Sequence, residues 1–189
     1  MRLSIAITAF AATLLLAGCS EEQQAVMPPP FALTQEAMGR YCGMNVLEHA
    51  GPKGQIILEQ VPEAIWFSSA RDTLAFTMLP EEPKEIAAIY VSDMSKAHSW
   101  EEPGAENWVD ARQAFFVIGS VQRGGMGAEE AVPFSKETDA RAFATQHGGQ
   151  VVGFNDMPKD YILGGGTETP AEDSLLDTDD TDQKGHDHG

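Results

Sequence analysis

Trp66-Phe67-Ser68-Ser69-Ala70-Arg71-Asp72-Thr73-Leu74-Ala75-Phe76, closed by Pro80, is the stretch whose reading decides the fold. Ser69 followed three residues later by Asp72 has the spacing of a capping box. Leu74, Ala75, Phe76 and Met78 then continue at helical spacing until proline removes a backbone donor, so a helix is predicted from Ser69. Parts of the stretch recur downstream: Phe67-Ser68, Asp72 and Ala75-Phe76 return as Phe134-Ser135, Asp139 and Ala142-Phe143 at one constant offset. Ser135 is expected to cap this second helix, and Gly148-Gly149 to end it. Short β-rich runs lie around the helices at Gln55 to Leu58, Ile86 to Val91 and Ala114 to Ser120. The pattern predicts an α+β fold built as an internal duplication.

Each half also carries a methionine in a glycine setting upstream of its helix, Cys42-Gly43-Met44 in the first and Gly124-Gly125-Met126 in the second. Packing of the repeats about a pseudo-twofold axis would let these methionines approach one another.

The ends of the chain read differently. Arg2, the apolar run Leu3 to Leu16 and the small residues before Cys19 form a lipoprotein export signal over residues 1–18. The apolar run is shorter than the roughly 20 residues a transmembrane helix needs. Cys19 is the expected lipidation site, and acyl chains there would hold the protein on a membrane. Residues 19–35 contain Pro28-Pro29-Pro30 and read as an extended spacer. The domain is expected over residues 36–163. Residues 164–189 hold eight acidic residues against Lys184 and read as a disordered acidic tail, ending in His186-Asp187-His188-Gly189. Those two histidines could capture Cu(II) or Zn(II) weakly, although a solvated terminus is the plainer reading. A net charge of −17 argues against nucleic acid and anionic lipid as electrostatic partners and favours cations or basic surfaces.

Of the two cysteines, one is assigned to lipid, which leaves Cys42 alone in an oxidising compartment where structural thiols normally pair. Burial as a small apolar residue, metal ligation and thiol chemistry all fit a lone cysteine. Met44, two residues on, adds a thioether, although methionine also fills core gaps. Thiolate with thioether is a soft ligand set that selects Cu(I) over hard cations. Met126 sits among glycines that present its side chain without packing support. His49 is close enough in sequence to Cys42 to supply an imidazole or simply to hydrogen-bond within its turn. No phosphate-binding glycine loop, Ser-His-Asp order or zinc-protease motif is present in the sequence.

Five segments in collinear order carry a family resemblance: Tyr41-Cys42-Gly43-Met44-Asn45, His49-Ala50-Gly51-Pro52-Lys53, Trp66-Phe67-Ser68-Ser69, Tyr90-Val91-Ser92-Asp93-Met94 and Gly124-Gly125-Met126-Gly127. Over residues 36 to 163 the chain resembles NosL, the nitrous-oxide reductase accessory lipoprotein. The resemblance implies a copper chaperone rather than an enzyme. It would be anchored in the bacterial cell envelope facing the periplasm, with Ser20 after the lipidated cysteine leaning towards the outer membrane. It implies one Cu(I) carried for assembly of the copper centres of nitrous-oxide reductase, in concert with an ABC-type membrane complex. The implied fold is two related ββα-like repeats, similar to the treble-clef part of organomercurial lyase. Cys42 and Met44 carry over as copper ligands, with Met126 the first choice for a further ligand and His49 the second. Two other classes remain open from residues alone: a thiol enzyme with Cys42 as nucleophile, and a non-catalytic scaffold.

Replacing Cys19 by alanine should release the protein from membranes, because no other segment of the sequence is long and apolar enough to hold it. Fractionation with a high-salt wash checks this, and persistent membrane association of the variant would exclude lipid anchoring.

Overall fold

The computed structural model describes residues 27–164. The export signal, Cys19 and the acidic tail from residue 165 lie outside the described residues. Among the described residues no helix is long and apolar enough to cross a membrane.

Two antiparallel sheets carry the fold. In the first, β1 (Gly54–Leu58) is central, flanked by β2 (Ala64–Phe67) and β3 (Ile86–Ser92), and β4 (Trp108–Asp110) extends the sheet beyond β3. In the second, β5 (Phe115–Ile118) is central between β6 (Val132–Phe134) and β7 (Gln150–Gly153). Helix α1 (Ala70–Met78) connects β2 to β3, α2 (Glu137–His147) connects β6 to β7, and α3 (Lys159–Leu163) closes the domain. Each repeat is therefore a ββαβ unit with its first strand in the middle. The ββα core of the expected repeat is present, and each helix is followed by a further strand that returns to pair with the central one.

Chemistry local to each helix sets its ends. The Ser69 hydroxyl accepts from the Asp72 N–H at 3.3 Å and caps α1. The second helix starts at the equivalent place, but the capping expectation for Ser135 is wrong. The position before α2 is Lys136, which makes no side-chain cap. Ser135 is the counterpart of Ser68 rather than of Ser69, and its N–H is spent on the buried Asp93 carboxylate at 2.9 Å. At the other end, Gly148 and Gly149 both adopt positive φ, which only glycine does without strain.

Strand alternation explains how the two repeats share a core. Ile56, Phe67, Ile89 and Val91 point from the first sheet, and Phe116 and Ile118 from the second, into one cluster with Leu74 and Phe76 of α1. The other face of β5 and β6 packs Val117, Val132 and Phe134 against Ala140 of α2. On its far side the first sheet presents Gln55, Ile57, Ala88 and Tyr90, all buried.

That far side corrects the spacer expectation for residues 19–35. Part of this segment covers the sheet: the Tyr90 hydroxyl donates to the Pro28 carbonyl at 2.7 Å. The buried Gln55 amide accepts from the Phe31 N–H at 2.8 Å and donates to the Phe31 carbonyl at 2.9 Å. Leu33 is buried with Ala37 and Val46. The prolines keep the segment out of regular structure as composition suggests, but without it the sheet face beneath would be left with exposed apolar surface and a polar amide unpaired.

Gly54 lies where α1 crosses β1, and a Cβ there would overlap the Thr73 side chain. Thr73 is fully buried, so it has little room to move. Gly54→Ala should therefore destabilise the domain by about 1–3 kcal/mol, as overpacked cores do. Urea denaturation measures this, and a shift below a few tenths would show that the helix slides freely on the sheet.

Candidate functional site

Four loops meet at the N-terminal end of α1. The first runs from Gly39 to Met44 and is a closed turn: the Gly39 N–H bonds the Met44 carbonyl at 2.9 Å, and the Gly43 N–H bonds the Gly39 carbonyl at 2.8 Å. Gly43 has φ +64°, a left-handed conformation that most residues avoid. A Cβ on Gly39 would stand 2.5 Å from the Cys42 sulfur, so glycine lets the thiol fold inward. The turn is fastened to the end of β2, with the Arg40 N–H on the Trp66 carbonyl at 2.7 Å. Arg40 and the Tyr41 hydroxyl both reach the largely buried Glu82, at 3.2 and 3.1 Å. Burial, and then the Glu82 charge, push the Tyr41 phenol well above its ordinary range.

Ser68, at the junction of β2 and α1, is the meeting point. Its buried hydroxyl lies 3.5 Å from the Cys42 sulfur and donates towards the Met126 sulfur at 3.8 Å. Two sulfurs from different repeats thus contact one oxygen. The duplication leads one to expect Met44 and Met126 to approach one another; the residues that share this contact are instead Met126 and Cys42. Met44 stands on the same turn, 41% exposed, and its carbonyl lies 4.0 Å from the Cys42 sulfur. Met126 is 55% exposed.

The loop that carries Met126 is wedged between two supports. A Cβ on Gly125 would stand 2.6 Å from the Ala50 carbonyl oxygen and 2.8 Å from the His49 Cβ, so only glycine permits the approach to the His49–Gly51 turn. That turn is in turn gathered by Lys53, whose buried ammonium donates to the carbonyls of His49, of Ala50 at 3.1 Å and of Gly51 at 2.8 Å. Burial lowers the Lys53 pKa to about 8 against the opposing pull of Glu130. On the other side lies Glu130, 1% exposed. Its Oε1 accepts from the Ser69 hydroxyl at 3.1 Å and from the N–H groups of Arg71 at 2.8 Å and Ala131 at 2.9 Å. Its Oε2 stands where a Cβ on Gly124 would meet it at 2.9 Å.

His49 lies on the supporting turn and is one of the residues around a different cleft of about 380 Å³, with His98, Lys53 and Glu101. Its Nε2 is buried without a hydrogen-bond partner. Among the described residues no three His, Cys, Asp or Glu side chains converge as a metal cage. The site offers sulfur: one thiol and nearby thioethers, at a point open to solvent on one side. Ser68, Lys53 and Glu130 are the residues that sequence reasoning missed. Ser68 and Lys53 stand inside quoted motifs, but nothing local marks Glu130, which follows Glu129 in a polar run and reads as solvated.

The class defined so far is an α+β duplication that presents an open pair of sulfur donors where its halves meet. Comparison with known proteins narrows it. Residues 30–162 match the NosL family. The copper-binding lipoprotein NosL of Achromobacter cycloclastes is 46% identical over 164 residues, which cover 86% of this chain and 81% of that protein. The copper-binding lipoprotein NosL of Stutzerimonas stutzeri is 35% identical over 145 residues, 75% of this chain and 73% of that one. The crystal structure of the copper chaperone NosL from Shewanella denitrificans aligns with a TM-score of 0.65 at 35% identity, covering 70% of this chain and 98% of that one. The chain belongs to the NosL family.

Gly125→Ala should force the loop off the Ala50 turn, at about 1–3 kcal/mol of stability, and carry Met126 away from Ser68. Nuclear Overhauser contacts between the Met126 methyl and the Ser68 and Cys42 side chains check this. They should be present in the parent and lost in the variant; their persistence would mean that loop packing does not place Met126.

Proposed function

We propose that this chain is a copper carrier that holds one Cu(I) between Cys42 and Met126, with Met44 as the adjacent third sulfur, and releases it to a protein partner. The observation that carries this reading is the contact of both the Cys42 and the Met126 sulfur with the Ser68 hydroxyl. An anionic thiolate with neutral thioethers suits a soft monovalent ion, and the relatives are named for binding or carrying copper. His49 is the alternative third ligand, from the unpartnered Nε2 of a turn that abuts the Met126 loop.

The openness of the site fits a carrier rather than a catalyst or a permanent store. Met38, Tyr41, Met44, Leu47 and Met126 are all exposed, and Met38 pairs with Asn45 beside the cysteine turn. An apolar, thioether-bearing rim of this kind gives a receiving protein a surface to cover while the ion changes ligands. In this reading the protein is held by lipid on Cys19, facing the periplasm from the outer membrane. It delivers copper for the centres of nitrous-oxide reductase, in concert with an ABC-type maturation complex. The net charge of −17 favours basic surfaces on whatever receives the ion.

Titration with Cu(I) against a competing chelator tests the assignment. Cys42→Ser should nearly abolish binding, because it removes the anionic sulfur. Met44→Ala and Met126→Ala should each weaken binding by a smaller step. Binding unchanged by Met126→Ala would move His49 into the ligand set, and binding unchanged by Cys42→Ser would end the assignment. A thiol enzyme would show the opposite pattern, with chemistry at Cys42 indifferent to Met44→Ala.

A further inference from the structure

We infer that Glu130 is a positioning residue of the sulfur site. Its carboxylate, supplied by the second repeat, fixes the first turn of α1 against the Met126 loop, so that copper affinity depends on the ionisation of a group that is not a ligand. The inference rests on the reading of Cys42 and Met126 as the copper site.

Geometry carries it. Glu130 Oε1 gathers the Ser69 hydroxyl at the cap of α1 and the Arg71 N–H in its first turn, together with its own neighbour Ala131 N–H. Ser69 adjoins Ser68, whose hydroxyl touches both sulfurs. Glu130 Oε2 lies against Gly124, the first residue of the loop that presents Met126. The Glu130 backbone carbonyl is held by the Tyr161 hydroxyl at 2.8 Å, and that hydroxyl also accepts from the Gly119 N–H at 3.1 Å. One side chain thus holds the turn that follows Ser68 in one repeat and packs against the loop that carries Met126 in the other. An anion also suits the N-terminus of a helix.

The charged neighbours do not neutralise it by direct pairing. From α1, the Arg71 guanidinium turns away to the Gly164 carbonyl at 2.5 Å and over the Tyr161 ring, and Asp72 repels the carboxylate. Before β1, the Lys53 ammonium attracts it while donating to three carbonyls. From α3 comes the Tyr161 phenol, and Glu129 precedes it on its own segment, in an ion pair with Arg123 at 3.5 Å. Burial pushes the Glu130 carboxyl up to about 7, with the hydrogen bonds from Arg71, Ala131 and Ser69 pulling the other way. The group therefore changes charge near neutrality.

The two consequences have opposite signs, which makes them separable. A folded-state pKa raised above the unfolded value contributes stability that is present below the unfolded pKa and lost as pH rises through about 7. Ionised Glu130 thus costs fold stability, and Glu130→Gln at about pH 8 should melt no lower than the parent. Copper affinity should move the other way. Hydrogen bonds to a carboxylate are roughly twice as strong as those to a neutral oxygen, so the ionised form holds the α1 turn, and with it Ser68, more firmly.

The test is Cu(I) competition titration of the full chain carrying Cys19→Ser, which leaves Cys42 as its one thiol, from about pH 6 to about pH 8. The parent should gain affinity with pH by more than the single proton that the Cys42 thiol releases. Glu130→Gln should bind about five- to tenfold more weakly at the upper end, converge with the parent at the lower end, and show the single-proton dependence. Equal affinity and an equal pH profile in Glu130→Gln, with Cys42→Ser still abolishing binding, would overturn this inference alone. If Glu130→Gln does not fold, the parent decides by itself, since a dependence of one proton overturns the inference. Retention of binding by Cys42→Ser would overturn the site reading and this inference with it.

Discussion

Hydrogen bonding between a buried carboxylate of one repeat and the start of the other repeat's helix, made once in each direction, is the interaction that orients the two repeats. Each ββαβ unit could form its own hydrogen-bonded ladder, but neither alone brings the Cys42 thiol and the Met126 thioether to one place. The shared core of Ile56, Leu74, Phe116 and Ile118 presses the units together, and apolar burial of this kind is strong but has no preferred direction. Direction comes from hydrogen bonds between the halves: Glu130 on the first turn of α1, and Asp93 on the Ser135 N–H at the start of α2. These are buried charged groups with multiple donors, the kind that costs heavily when a partner is lost. The repeats therefore clasp one another's helices, and the sulfur site lies beside one clasp.

The rest of the site is built by close approach. Glycines at 39, 54 and 125 stand where a methyl group would meet a sulfur, a helix side chain or a neighbouring backbone. Only at Gly43 and Gly127 of the two sulfur-bearing loops does the backbone itself demand glycine, through positive φ. Tight support behind the loops and open solvent in front of them is a sensible division for a site that must bind an ion and give it up. The scaffold limits how far the sulfurs can drift, while the exposed rim of Met38, Tyr41, Met44 and Leu47 stays available to a receiving surface.

Much of the fold was legible from local chemistry. The constant offset between the two helix motifs corresponds in the structure, since α1 begins at Ala70 and α2 at the equivalent Glu137. The Ser69 cap and the Gly148-Gly149 stop were readable because both act within a few residues. Reading Ser135 as a cap failed by a single position, since the offset makes it the partner of Ser68. Pro28 to Leu33 read as a spacer because composition reports solubility and stiffness. Their actual fate was decided by a sheet face more than twenty residues away. In the candidate site, Cys42 and Met126 stood out in the sequence because each places a sulfur beside glycines. Glu130 was invisible, because a carboxylate next to Glu129 shows nothing locally of the burial that the second repeat imposes. His49 is near Cys42 in sequence, and in the structure it also lines the cleft with His98.

The central claim is that the two repeats converge on one ion through Cys42 and Met126. X-ray absorption tests it most directly on Cu(I)-loaded protein whose methionines are replaced by selenomethionine. The selenium edge should show copper as a near neighbour, and that signal should fall in a Met126→Leu variant while the copper edge keeps its sulfur shell from Cys42. An unchanged copper–selenium signal in the variant would contradict the account, as would a copper shell made of nitrogen and oxygen alone.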